Sequence, residues 1–183
     1  MRPTITALIL TTLLGSGAAS ALDRPRHLND AIRSQKRIAS ARPDSAGVLN
    51  DLGNLLTLAG RLEEAEEAYR QALAVAPDDS TTHYNLALML RLDGRRRQAV
   101  RELERAVELD PDDAWGHYQL GVMLEEKDKS ARAARHFARA FVLDPSLTEF
   151  ENNPQLLDSD RTTRAMMRAY QDRVARAERA PRQ

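Results

Sequence analysis

The chain contains an internal repeat, and this repeat constrains the fold more than any other feature. Three segments of equal length, 46–79, 80–113 and 114–147, align without gaps and share seven small, apolar or proline positions. Such a repeat indicates a stack of similar units, because each unit has an apolar face that only its neighbours can cover. The shared positions hold Leu52, Gly53, Leu56, Ala65, Tyr69, Ala72 and Pro77; then Leu86, Ala87, Leu90, Ala99, Leu103, Ala106 and Pro111; then Leu120, Gly121, Leu124, Ala133, Phe137, Ala140 and Pro145.

Within each segment, apolar residues recur three and four positions apart, which predicts two amphipathic helices. Gly60 and Gly94 lie between these helices, where a left-handed residue ends a helix, and Asp128 takes this place in the third segment. Asp79 and Asp113 follow the proline that ends a second helix, so they suit the N-cap of the next one. The alanine recurring in each second helix predicts a close approach to the small residue of the first helix.

This pattern resembles the tetratricopeptide repeat, which it matches at seven of eight signature positions in each segment. The remaining position, usually tryptophan, holds Leu49, His83 and His117. The resemblance implies an all-α fold, a right-handed superhelical solenoid of antiparallel helix pairs, with three repeats between N- and C-terminal capping helices. It also implies that the first helices line a concave groove, which binds an extended or helical peptide.

The resemblance assigns six candidate partner-binding residues to that groove. Aromatic side chains dominate binding energy at protein interfaces, so a protein or peptide partner with an apolar or mixed segment is expected. The alternative is that the aromatic rings pack between neighbouring helices or against the C-terminal cap folding back. The six candidates are Asn50 and Asn54 in the first repeat, Tyr84 and Arg91 in the second, and Trp115 and Tyr118 in the third.

One subtype of the family binds a C-terminal carboxylate with Lys, Asn and Arg on these helices. Asn54 and Asn85 match its two Asn positions, whereas the cationic positions hold Asn50, Trp115 and Gln119. Without cations a carboxylate would lose its charge-assisted hydrogen bonds. A carboxylate clamp is therefore not expected.

Residues 1–21 have the pattern of a signal peptide. Arg2 precedes an apolar stretch over 5–14, and a run of small residues ends at Ala21. Cleavage before Leu22 is predicted, with export to the periplasm or beyond. An uncleaved membrane anchor is the alternative, but the apolar stretch is shorter than the roughly 20 residues that a bilayer core requires.

The segments that flank the repeats are predicted to cap them. Residues 22–45 form an N-terminal half-repeat with a helix over 27–41, and residues 148–183 form a C-terminal helix and a basic tail. Met166, Met167, Tyr170 and Val174 recur at helical spacing, either covering the core or binding a partner. The seven Arg of residues 161–183 are either solvated or contact anionic envelope lipid or an acidic partner. Self-association through this helix or the repeat ends is a further alternative.

The amino-acid composition limits the kinds of ligand and catalytic chemistry that the chain can support. The chain has 27 Lys and Arg against 27 Asp and Glu, so no net field favours nucleic acid. The absence of cysteine excludes disulfides, thiolate catalysis and Cys-ligated metals. His83 and His117 share a repeat position, but no residue at a suitable spacing supplies a third metal ligand. Arg95–Arg97 is interpreted either as a solvated run or as a small patch that contacts an anion. A non-catalytic interaction protein without cofactor or metal is predicted.

Overall fold

A computed structural model describes residues 26–126, 130–149, 152–153, 167, 170–171 and 175. These residues form helices and turns and no strand, which confirms the predicted all-α class. The predicted signal peptide over residues 1–21, Asp128 and most of the basic tail lie outside the described residues. The helices are α1 (Arg26–Ala41), α2 (Ala46–Leu58), α3 (Leu62–Val75), α4 (Ser80–Leu92), α5 (Arg96–Leu109), α6 (Ala114–Glu125) and α7 (Ser130–Leu143), followed by a 3-10 helix (Pro145–Thr148).

Each repeat segment folds as one pair of adjacent helices. The pairs are α2 with α3, α4 with α5, and α6 with α7. The chain divides into two compact units, residues 1–110 and residues 111–183. In the first unit α1 packs on α2 and α3 packs on α4, so adjacent helices cover one another's apolar faces. No helix among the described residues is both long and apolar enough to cross a bilayer.

The turns inside the first two repeats depend on glycine. Gly60 and Gly94 have φ angles of 72° and 76°, which confirms the predicted left-handed conformation. The residue after each glycine donates its backbone N–H to the carbonyl five residues earlier, at 2.9 Å in both turns. This hydrogen bond closes the end of the first helix and directs the chain into the second.

The predicted N-caps differ although they occupy the same repeat position. The Asp79 carboxylate accepts the backbone N–H of Thr82 at 3.2 Å, as expected of a cap. Asp113 is also an N-cap residue, but its side chain makes no capping hydrogen bond. Both residues therefore occupy the predicted N-cap position, and only Asp79 adds a side-chain hydrogen bond there.

The small residue in the first helix makes room for an aromatic ring. A Cβ atom on Gly53 would lie 2.5 Å from the Tyr69 ring, and one on Gly121 would lie 2.8 Å from the Phe137 ring. In these two repeats the atoms nearest to the glycine position therefore belong to an aromatic ring of the second helix. The second repeat has Ala87 and Leu103 at the same two positions, a larger first residue with a smaller partner.

An aromatic cluster forms the core of the second unit. The Phe137 ring centroid lies 5.5 Å from that of Tyr118 and 6.2 Å from that of Phe141. Tyr170 lies 5.7 Å from Phe141, and both Met167 and Tyr170 are buried. These two residues of the C-terminal stripe therefore cover the core, whereas Met166 and Val174 lie outside the described residues.

Arg95 forms an ion pair within the first unit and is not a member of a solvated run. Its guanidinium donates to the Glu66 carboxylate on α3, with Nη2 2.9 Å from Oε1. This hydrogen bond holds the pKa of Glu66 below its usual range, with Arg70 contributing further. The ion pair ties the turn before α5 to the second helix of the preceding repeat.

Candidate interaction surface

The first helices of repeats one and two lie side by side in the first unit. Asn85 Nδ2 on α4 donates to Asn50 Oδ1 on α2 at 2.9 Å, and both side chains are buried. A hydrogen bond between two buried amides fixes the register of the helices, because either group alone would lack its partner. Asn50, predicted on the exposed groove, instead joins α2 to α4.

Among the partly exposed side chains of these two helices are four that we call the α2/α4 face: Asn54, Tyr84, Leu88 and Arg91. Tyr84, Leu88 and Arg91 are four and three residues apart, so they share one side of α4. Asn54 Oδ1 accepts a hydrogen bond from the Tyr69 hydroxyl at 2.8 Å. Burial raises the pKa of Tyr69, which keeps the phenol neutral and able to donate. The position of Asn54 is thus fixed from beneath the face.

The two aromatic candidates of the second unit differ in exposure. Trp115 is partly exposed, whereas Tyr118 is 0% exposed. The ring of Tyr118 meets Trp115 edge-on at a centroid distance of 5.8 Å and also contacts Phe137. The predicted place of Tyr118 on an exposed groove is wrong, because Tyr118 belongs to the aromatic core. Trp115 remains a candidate for partner contact.

Both amides that match the carboxylate-binding subtype are committed to contacts within the protein. Asn85 donates to Asn50, and Asn54 accepts from Tyr69. The side chains that would supply cations are Asn50, Trp115 and Gln119, of which Asn50 and Gln119 are buried. None of the residues at these positions supplies a cation for a carboxylate clamp.

A histidine contact recurs in repeats two and three. His83 Nδ1 lies 2.8 Å from the Glu102 carboxylate on α5, and its Nε2 lies 3.0 Å from the carbonyl oxygen of Pro77. His117 Nδ1 lies 3.0 Å from His136 Nδ1 on α7, and its Nε2 lies 3.2 Å from the Pro111 carbonyl oxygen. Each histidine therefore joins the preceding turn to the second helix of its own repeat.

The sequence shows the shared register of His83 and His117, but the pattern of each histidine alone does not identify its partner on the second helix. Glu102 and His136 also occupy one repeat position, and this shared register was the available signal. Among the described residues, no group of three or more His, Cys, Asp or Glu could hold a metal ion. Three imidazoles, one carboxylate and two backbone carbonyls make these contacts between helices and turns.

Comparisons with known proteins identify the repeats. Two family models described as tetratricopeptide repeat match residues 44–112 and 102–135. No curated protein matches the sequence.

Solved structures of MamA resemble the fold. A crystal structure of MamA has a TM-score of 0.65 at 17% identity, over 84% of this chain and 92% of that one. A fragment of MamA from Desulfovibrio magneticus RS-1, residue 41 to the end, has a TM-score of 0.59 at 26% identity, over 65% of this chain and 67% of that one. The likeness to the first of these structures extends to the fold alone, because so few of the aligned residues are identical.

Proposed function

Because the chain belongs to the tetratricopeptide repeat family, we propose that it is an exported, non-catalytic scaffold that binds a segment of a partner protein at the α2/α4 face. The family is in general one of interaction modules. The observation that carries the proposal is the row of partly exposed Tyr84, Leu88 and Arg91 beside Asn54, on two helices locked together by a buried amide pair. A rigid backbone lowers the entropy lost on binding.

The chemistry of the face fits a segment that mixes apolar and polar side chains. Tyr84 and Leu88 supply apolar area, and the amide of Asn54 and the guanidinium of Arg91 supply polar groups. Tyrosine and arginine are among the residues that most often carry binding energy, since each combines a large contact area with hydrogen-bonding groups. Trp115 of the second unit is a further candidate for contact with the partner.

A double substitution on the face is expected to weaken partner capture. Tyr84→Ala with Arg91→Ala removes two residues of hot-spot type, and the loss of about 2 kcal/mol lowers affinity roughly 30-fold. The matched control is Val75→Ala with Arg101→Ala, which removes an exposed apolar residue and an exposed arginine from the second helices α3 and α5. Affinity purification from an envelope fraction, followed by titration of each captured protein, measures the effect.

The control double variant should retain every partner at wild-type affinity. Equal recovery by both double variants, with helical content unchanged by circular dichroism, would contradict binding at the face. Light scattering over a concentration series addresses the alternative, a self-associating structural component of the envelope. Growth of the particle mass with concentration in both double variants, without partner capture, would favour that alternative.

Export is proposed from the pattern of residues 1–21. The mature protein is expected to begin at Leu22, because Ala19 and Ala21 provide the small residues that signal peptidase accepts. Intact-mass spectrometry of the protein recovered from its native host, with separate periplasmic and cytoplasmic fractions, measures this. Recovery of a chain that retains Met1–Ala21 would contradict the proposal.

A further inference from the structure

The imidazole rings of His117 and His136 meet edge to edge. Their Nδ1 atoms are 3.0 Å apart, and their centroids are 5.3 Å apart with planes inclined by 26°. The centroid separation is close to the nitrogen distance plus the two ring radii, so the nitrogens point at each other. One proton lies between them, because a hydrogen bond between two nitrogens needs one donor and one acceptor.

The Pro111 carbonyl decides which ring donates. Its oxygen can only accept, so His117 Nε2 at 3.2 Å carries a proton. A neutral His117 then has its lone pair on Nδ1, and the shared proton belongs to His136 Nδ1. The first helix of the repeat therefore supplies the acceptor, and the second helix supplies the donor.

This contact accommodates one additional proton and not two. The first can bind to His136 Nε2, which leaves the hydrogen bond in place and gives it a charged donor. The second must bind to His117 Nδ1, which sets two N–H groups and two positive charges against each other at the 3.0 Å separation of the nitrogens. Once the rings have separated, both can be protonated, so acid favours the open form by mass action.

Charged groups around the pair act in both directions. Arg139 on α7 donates to the Pro111 carbonyl at 3.4 Å and to the Asp112 carboxylate at 2.8 Å. Arg132 lies four residues before His136 and Arg139 three after it, and both add positive potential. Asp112 and Asp113, in the turn before α6, add negative potential.

The second repeat has the opposite chemistry at the same positions. His83 faces the Glu102 carboxylate at Nδ1 and the Pro77 carbonyl at Nε2, and both groups only accept. A doubly protonated His83 therefore donates from both nitrogens, and acid preserves this contact.

A metal ion is a poorer occupant of the His117–His136 pair, because each lone-pair axis is directed at the other nitrogen and the described residues supply no third ligand.

We propose that the His117–His136 contact is an acid-operated latch of the third repeat. It holds α6 against α7 at neutral pH and opens as protons compete for Nδ1 of His117. The equivalent His83–Glu102 contact stays closed. The molecule thus carries one acid-sensitive and one acid-tolerant repeat, distinguished by a single second-helix residue.

The variant His136→Glu tests the latch, because it gives the third repeat the residue that the second has at this position. We expect the wild-type Tm to fall by about 2–8 °C more than that of the variant between about pH 7.5 and about pH 5.5. This range lies above the ordinary titration of carboxylates. Trp115 is the only tryptophan and lies in the second unit, so its fluorescence reports on this repeat.

Equal falls in Tm for the full-length wild type and for His136→Glu would overturn the latch. His83→Leu, which introduces the residue of the first repeat, is the matched control, and its Tm should fall by at least as much as that of the wild type. If His136→Glu does not fold, nitrogen NMR of the wild-type imidazoles decides. The latch requires the second proton to bind at the same pH at which the signals of α6 and α7 change. Binding of both protons with those signals unchanged would exclude it.

Discussion

Tyr118→Ala is expected to lower the free energy of unfolding of the second unit by about 3–5 kcal/mol, as is usual when a buried aromatic ring is deleted. Tyr118 is fully buried and its ring touches those of Trp115, Phe137 and Phe141. The substitution leaves a cavity lined by these rings, and the cost rises with the volume that the surrounding side chains do not refill. Urea denaturation followed by Trp115 fluorescence measures the loss.

Tyr84→Ala is the matched control, since Tyr84 has the same residue type and the same repeat position but is partly exposed. Its expected cost is about 1 kcal/mol, near the centre of the range for single substitutions. Tyr84→Ala should reduce partner capture with little loss of stability, whereas Tyr118→Ala should act through stability. Similar stability losses for the two variants would show that the burial of Tyr118 does not contribute about 3–5 kcal/mol to the free energy of unfolding.

The helices and their turns could be predicted because their signals are local. Apolar spacing determines which side of a helix is covered, and Gly60 and Gly94 mark the turns through a backbone conformation that other residues rarely adopt. The repeat register then carries each assignment from one segment to the next. This is why the fold class followed from the sequence alone.

Exposure at one register position could not be predicted, because it depends on what covers that position in each repeat. Asn50, Tyr84 and Tyr118 occupy the same place in the three first helices, yet Tyr84 is partly exposed and the other two are buried. Asn50 is covered through its hydrogen bond to Asn85, and Tyr118 through contacts with the aromatic rings of α7. The pattern identifies the helix face and not its neighbours.

The contacts between the two helices of a repeat can be recognised in the sequence only when a residue pair of one repeat is compared with the equivalent pair of the next. His83 with Glu102 and His117 with His136 have the same separation along the chain, and the second pair lies one repeat after the first. Reading each histidine alone shows only a substituted tryptophan position. The same comparison would have linked Gly53 to Tyr69 and Gly121 to Phe137.

Gly53→Ala and Gly121→Ala are each expected to destabilise their unit by about 1–3 kcal/mol, the usual cost of overpacking. The added methyl would lie 2.5 Å from the Tyr69 ring or 2.8 Å from the Phe137 ring. The rings are fully buried, so they can move only by displacing other core atoms. Alanine has the higher helix propensity, which makes the expected sign a test of packing against propensity.

Gly47→Ala supplies the control, because no atom lies within 4 Å of a Cβ at this position of α2. Without a packing clash, the substitution changes only the helix propensity. This variant should therefore be more stable than the wild type by up to about 1 kcal/mol. The double variant Gly53→Ala with Tyr69→Leu recreates the Ala87 and Leu103 pair of the second repeat. It should cost less than the two single changes together, a non-additivity of about 0.5–3 kcal/mol between residues in contact. Strict additivity in urea denaturation would show that ring and methyl do not compete for the same space.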